Sequence, residues 1–375
     1  MDLKRLKFID KPFVMALSFL ICFGLVILIS ATSTVAFSDP GSLIAKQIGV
    51  IILGLGAAVF MIRYDYLHIQ NFGMMFYGLS ILLLILVIFL GKDSRWLEVG
   101  FLPAIQVSEI TKVLMILSFA GFLNARRDNL DTLAGMIPCL LFMGAPFILI
   151  MLQPDLGTAL VYICITVVML FFAGANPKIL LALITAGVAG IALLLFLHFQ
   201  YNMPLPLEEY QLQRLMVFID PYADGKGGMG YGWNIIQSLI AIGSGGLSGR
   251  GLFQGTQVQL NFLPEHHTDF IFAVIGEELG FIGALMVIIA FTVLLIRALI
   301  ISFEAKELYG SLIVTGISAM WLFHVFENIG MTLGVMPITG IPLPFLSYGG
   351  SSMLTNLIAS GIILSVNIRG NQIVF

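Results

Sequence analysis

Apolar runs of bilayer-spanning length, separated by short polar gaps, extend from Pro12 to Phe375 and constrain this chain more than any other feature. Residues 13–30, 179–199 and 270–296 each meet the length of about 18 apolar residues that a spanning helix needs. Hydrocarbon offers the backbone no partners, so only helices or a closed barrel can cross it. Barrel strands alternate polar and apolar residues over about 10 positions. The runs here are apolar on every side and longer, so helices are expected. Composition agrees: 59% of residues are hydrophobic and 10% charged, against roughly 25% charged in a soluble domain. The predicted fold is all-α, a polytopic integral membrane protein forming a single domain over residues 1–375.

Ten spans are expected, near 12–31, 43–62, 74–90, 105–123, 134–152, 156–173, 178–199, 269–297, 309–332 and 348–367. The fourth is the weakest, because it contains Glu109 and Lys112. Proline in Gln153-Pro154-Asp155 separates the fifth from the sixth. A large loop, 200–268, lies between the seventh and eighth spans. Its apolar residues and the glycine-dense stretch 243–251 predict short amphipathic helices joined by glycine turns. Lys4, Arg5, Lys7 and Lys11 precede the first run, which exceeds the 7–15 residues of a signal h-region. It is therefore read as an uncleaved span with a cytoplasmic N-terminus. Lysine and arginine in the other loops then favour both termini in the cytoplasm and the 200–268 loop outside.

Net charge of −3 without a basic stripe excludes nucleic acid as a partner class. Cys22, Cys139 and Cys164 all fall inside apolar runs, so neither a disulfide framework nor a zinc site is expected.

Charges in or beside apolar spans are expensive and therefore informative. Asp269 stands where the outer loop meets the eighth span. It could cap that helix or act as a general base, which needs reach first and a matched pKa second. Glu109 and Lys112, three apart, share a helix face. They are either a structural ion pair or a cavity wall where Lys112 attracts phosphate and Glu109 orients it. Arg95, Trp96, Gln153, Asp155 and Arg214 fall on the outer side, where arginines could hold a diphosphate bidentately; headgroup anchoring is the bland alternative. Gln237 is a further polar candidate in the large loop. Glu277 and Glu278, and His324 with Glu327, are buried polar groups that need partners. The prolines of 337–344 forbid a regular helix, and Ser347, Ser351 and Ser352 then open the tenth span. Irregular backbone of that kind is tolerated where it is buried in protein or lines a cavity.

Four segments carry a resemblance: residues 262–273 (FLPEHHTDFIFA), 242–251 (IGSGGLSGRG), 153–157 (QPDLG) and 342–352 (PLPFLSYGGSS). Together they resemble the SEDS family (shape, elongation, division and sporulation) over nearly the whole chain. Residues 255–264 and 337–342 are more similar to the rod-shape, elongation branch than to the division branch. The resemblance implies an inverting peptidoglycan glycosyltransferase at the outer face of the bacterial cytoplasmic membrane. There a sugar hydroxyl of one lipid II attacks the anomeric carbon of another glycan and releases undecaprenyl diphosphate. The family's essential aspartate matches Asp269, with Glu265, His267 and Thr268 around it. Implied partners are a class B penicillin-binding protein that cross-links the product, other cell-elongation proteins and membrane lipid. A divalent cation, Mg or Mn, is compatible with the leaving diphosphate, but no residue pattern assigns one. Val107 stands where the family commonly has proline, and Trp233 and the glycine-rich 224–230 also depart from its pattern.

Two rival readings remain open on sequence alone. A lipid flippase or transporter would use Glu109, Lys112, Glu277 and Glu327 as a polar path. A non-catalytic scaffold would tolerate loss of charge in the outer loop.

Overall fold

The computed structural model describes residues 8–33, 40–92, 95–97, 104–201, 203–205, 208–223 and 226–370. Lys4, Arg5, Lys7 and Asp224 lie outside them. Among the described residues, nine helices are long and apolar enough to cross a membrane. They are α1 (Lys11–Thr32), α2 (Pro40–Arg63), α4 (Gly73–Leu90), α5 (Val107–Asn124), α6 (Leu133–Met151), α8 (Pro177–Tyr201), α12 (Ile271–Glu304), α13 (Leu308–Thr332) and α14 (Gly350–Gly370). A further apolar helix, α7 (Leu156–Phe172), has 17 residues. Between them lie the short helices α3 (Tyr66–Gln70), α9 (Glu209–Ile219), α10 (Trp233–Gly245) and α11 (Thr256–Gln259).

The core is built on α5, α13 and α14, which carry the largest buried shares of the spans. α14 packs on α2, α12 on α1 and α13, and α13 on α7 and α5. α8 is the opposite case: it packs on α7, and Leu180 is its one buried residue. A span this apolar with so little of its surface covered by protein presents the rest to lipid.

Two boundaries depart from the sequence reading. α5 starts at Val107 because Ile105–Gln106 (β2) pairs antiparallel with Trp96–Leu97 (β1). α12 breaks at Gly280 (φ 64°), so a short helical segment precedes the long one. The glycine stretch is the reason that break is tolerated. Arg250 and Gly251 N–H groups donate to the carbonyls of Glu277 and Glu278, and Phe281 and Ile282 N–H groups donate to those of Gly246 and Leu247. Backbone groups freed by the break are thus paired by a distant loop. Only glycine fits against it: a Cβ at Gly249 (φ 78°) would lie 2.1 Å from the Glu278 carbonyl oxygen.

Where α1 begins and α14 ends, Asp10 caps α1, ion-pairs with Arg297 of α12, and its N–H donates to Asn367 of α14. The candidate site lies at the other end of the bundle, where α9–α11 and the 333–349 connection gather.

Candidate functional site

Asp269 ends a tight turn that starts at Glu265. Glu265 adopts φ 53°, which lets its carbonyl accept from both Thr268 N–H and Phe270 N–H. Its carboxylate accepts from Thr268 Oγ1 at 2.9 Å. Asp269 does not cap α12: the N-cap is Phe270, without a side-chain hydrogen bond. The capping reading is therefore set aside. The Asp269 pKa is pushed up to about 7, by burial first and by the neighbouring Glu265 charge second, with Arg214 opposing both. Burial first and His266 second move the His267 pKa the other way, below its ordinary value, with Glu265 opposing them.

The connection between α13 and α14 folds into the bundle rather than over it. Ile341, Leu343, Phe345 and Leu346 are buried. It passes so close to two helices that they need glycine at the crossing. A Cβ on Gly24 of α1 would stand 2.7 Å from the Phe345 carbonyl oxygen, and one on Gly157 of α7 would stand 2.9 Å from Ile341 Cγ1. Three of the sequence motifs therefore meet here. The loop is stitched to the Asp269 turn: Tyr348 N–H donates to His267 O at 2.9 Å, Ser347 Oγ donates to Thr268 O at 2.6 Å, and Asn328 Nδ2 donates to Asp269 O at 2.7 Å. Gly340 (φ 78°) faces the Asp269 carboxylate.

Two cavities adjoin this assembly. The first, about 400 Å³, runs between α6, α7, α8 and α9; its wall is apolar except at Arg95, Asp155, Tyr210, Gln211, Arg214 and Thr339. The second, also about 400 Å³, is of mixed polarity and lined by Tyr210, Gln213, Arg214, Lys226, Tyr231 and Asn234 among others. Tyr210, Arg214 and Ile338 belong to both. Arg214 Nη1 donates to the carbonyls of Ile338 and Thr339, each at 3.3 Å. Its guanidinium pKa is lowered by burial, against the pull of Tyr210 and Asp269. Asp269 does not itself line either cavity; its carboxylate stands against Gly340, which follows the cavity-lining Thr339.

Most other candidates are engaged in holding the fold, as buried polar groups must be. Lys112, 1% exposed, donates to Glu109 at 2.6 Å and to His324 Nε2 at 2.9 Å. The Glu109–Lys112 pair lies within α5 and reaches α13 through His324, the arrangement of the ion-pair reading, and neither residue lines the two cavities above. Arg95 is likewise a clamp: it donates to the carbonyls of Gln153, at 3.0 Å, and Pro154, and to Tyr210 Oη at 2.6 Å. Asp155 caps α7 through Thr158 N–H and accepts from its hydroxyl. Gln153 donates to Leu84 O, Ser351 accepts from Gln106 N–H, and Ser352 accepts from Asn356. Trp96 is 38% exposed on β1, and Gln237 is buried on α10. Glu277 accepts from Gln257 N–H and Thr256, Glu278 from Ser30, and Glu327 from Thr339. The charges proposed for a transport path thus belong to separate hydrogen-bonded sets. Among the described residues no three His, Cys, Asp or Glu side chains gather as a metal site.

Sequence reasoning missed Asn328, Gly340 as the neighbour of Asp269, and the Tyr210 hydroxyl. The available signal for Asn328 was its place beside Glu327, two polar residues together in an apolar span.

Comparison with known proteins places this arrangement in context. Residues 11–372 match the FtsW/RodA/SpoVE family, described as cell cycle proteins. Stage V sporulation protein E of Bacillus subtilis is 37% identical over 93% of this chain and 94% of its own. Peptidoglycan glycosyltransferase MrdB of Escherichia coli is 35% identical, with 96% and 93% covered. The probable peptidoglycan glycosyltransferase FtsW of Trichlorobacter lovleyi is 34% identical, with 97% and 94% covered. Among solved structures, a chain from a study of how a peptidoglycan synthase complex coordinates polymerization and crosslinking superposes with a TM-score of 0.78 at 28% identity, covering 97% of this chain and 99% of that one. The rod shape determining protein RodA of Thermus thermophilus gives 0.70 at 27%, covering 97% and 98%.

Proposed function

The chain belongs to the FtsW/RodA/SpoVE, or SEDS, family and is a peptidoglycan glycosyltransferase; on that premise we propose that it polymerises lipid II for cell elongation, as a RodA-type enzyme. The observation that carries the reading is the position of Asp269: a carboxylate that does not cap α12, has a raised pKa, and stands against Gly340 in the loop whose residues 337–339 line the cavities.

An apolar slot beside a basin of mixed polarity suits a substrate with an isoprenoid tail and an anionic saccharide head. The tail lies along α6, α7 and α8, and Arg214, common to both cavities, meets the diphosphate where tail and head join. Asp269 then takes the proton of the acceptor hydroxyl as it attacks the anomeric carbon from the face opposite the departing diphosphate, inverting that centre. A base with a pKa near the working pH is both ionised often enough and basic enough for this task. Glu265 and Arg214 set that balance by opposing charges.

The site faces the exterior and both termini face the cytoplasm in this reading, which the lysine and arginine distribution supports. Residues 255–264 and 337–342 favour the elongation branch; percentage identity does not separate it from division. The cross-linking partner is a class B penicillin-binding protein, a proposal supported by the likeness to a synthase-complex chain.

Purified protein incubated with labelled lipid II should yield glycan strands, and Asp269→Asn should lower the rate by about 10²–10⁴ while remaining folded. Full-rate polymerisation by that variant would remove Asp269 from the mechanism. Accessibility labelling of a cysteine at Ser248 tests sidedness, and labelling from the cytoplasm alone would reverse it.

A further inference from the structure

We propose that Asn328 is a positioning residue for glycan polymerisation: its side-chain amide ties the Asp269 carbonyl to the Ile341 carbonyl and so fixes where the Asp269 carboxylate stands. The proposal rests on the reading of Asp269 as the base.

Asn328 lies on α13 and is fully buried. Its Nδ2 donates at 2.7 Å to Asp269 O and at 2.8 Å to Ile341 O. An amide nitrogen has two hydrogens, and both are committed here, to two segments that α12 and α13 separate along the chain. The amide cannot turn over, because Oδ1 would then face two carbonyl oxygens. As it stands, Oδ1 is buried without a partner. An orphaned buried acceptor is unfavourable, so the donors, not the acceptor, account for an asparagine here.

The effect on Asp269 follows from how little freedom remains to it. Ser347 and Tyr348 already hold the carbonyls of Thr268 and His267, and Asn328 adds the third consecutive one. With its backbone pinned, Asp269 can move only its own side chain, and Gly340 stands against Oδ2 on one side. Ile341, the other residue held by Asn328, directly follows Gly340. One amide therefore sets the spacing between the base and the loop beside it. Without it one buried and one partly buried carbonyl lose their donor, and the turn and the loop can separate.

The test uses full-length protein with labelled lipid II, measuring kcat, KM and the pH dependence of kcat for Asn328→Leu, which keeps the volume, and Asn328→Ala. Thermal unfolding in detergent checks folding, and Asp269→Asn is run in parallel. A displacement of about 1 Å can cost roughly 10²-fold in rate, so kcat should fall by about ten- to a hundredfold while KM stays within about twofold. The acid limb of the profile should move to lower pH as the carboxylate gains solvent. Folded variants with a wild-type rate and profile overturn the proposal, as does lost activity with an unmoved acid limb. If neither variant folds, Asn328 is a strut of the core and the proposal likewise fails. Wild-type Asn328 variants beside an inactive Asp269→Asn sink this inference alone; an active Asp269→Asn sinks the reading of the base beneath it.

Discussion

Gly340 faces the carboxylate of Asp269 so closely that a Cβ built on it would lie 3.1 Å from Oδ2. The same glycine sits at φ 78°, a backbone region costing an L-residue about 1–2 kcal/mol. Gly340→Ala therefore meets two penalties, one on the loop and one on the carboxylate. Stability should drop by about that backbone cost, and activity should drop further, by about tenfold or more, because the base is displaced. Unfolding temperature and lipid II polymerisation measured on the same preparation separate the two. An activity loss no larger than the stability change explains would mean that Asp269 tolerates the methyl group.

The raised pKa of Asp269 gives a signed pH dependence. Its folded value of about 7 exceeds the ordinary carboxylate value, so the folded state keeps this proton longer than the unfolded chain does. Stability from this group is complete below the unfolded pKa and is lost as pH rises through about 7. The base, by contrast, works only when ionised, so polymerisation should rise over the same interval. Asp269→Asn should hence unfold at a higher temperature than wild type near pH 8, with the difference vanishing in acid. A constant difference across pH would contradict the shift.

Helix number and most boundaries were legible in the sequence because a bilayer allows few solutions. Asp269 was legible as a choice between cap and base, since a carboxylate at a helix entrance has few other uses. The partner of Lys112 was not. Spacing of three reveals that Glu109 shares its face, but His324 lies 212 residues away and only tertiary packing brings it to Nζ. The break at Gly280 was hidden for the same reason, because the groups that repair it belong to residues 246–251. Arg95 was legible only in part: its place beside a tryptophan at a membrane edge suggests a polar site, and it does line the apolar cavity, but its donors to the 153–154 turn depend on tertiary packing.

The Glu109–Lys112 pair should behave as a structural group. Removing one partner of a buried ion pair typically costs about 3–5 kcal/mol, whereas replacing both with apolar residues is often neutral. Lys112→Met should therefore destabilise strongly, and Glu109→Leu combined with Lys112→Met should recover much of the loss. His324 would then have an unpaired Nε2, which limits the recovery. Denaturation of the single and double variants checks this. Recovered stability together with recovered polymerisation identifies a strut; recovered stability with no polymerisation would assign the pair a chemical role.

The apolar cavity yields a prediction about the substrate's tail. Leu160 and Ile163 of α7 both line it, and three residues apart they share a helix face. Leu160→Trp should narrow the slot and raise KM for lipid II severalfold, with a smaller change in kcat, because tail binding is the same in ground and transition states. Leu141, 70% exposed on α6 and absent from the cavity wall, serves as the control: Leu141→Trp should leave the kinetics unchanged. A substrate analogue with a shortened isoprenoid distinguishes a tail slot from a headgroup slot. If the cavity takes the tail, the Leu160→Trp variant and the wild type should handle the shortened analogue alike. An equal penalty on long and short tails would place the tail elsewhere on the protein.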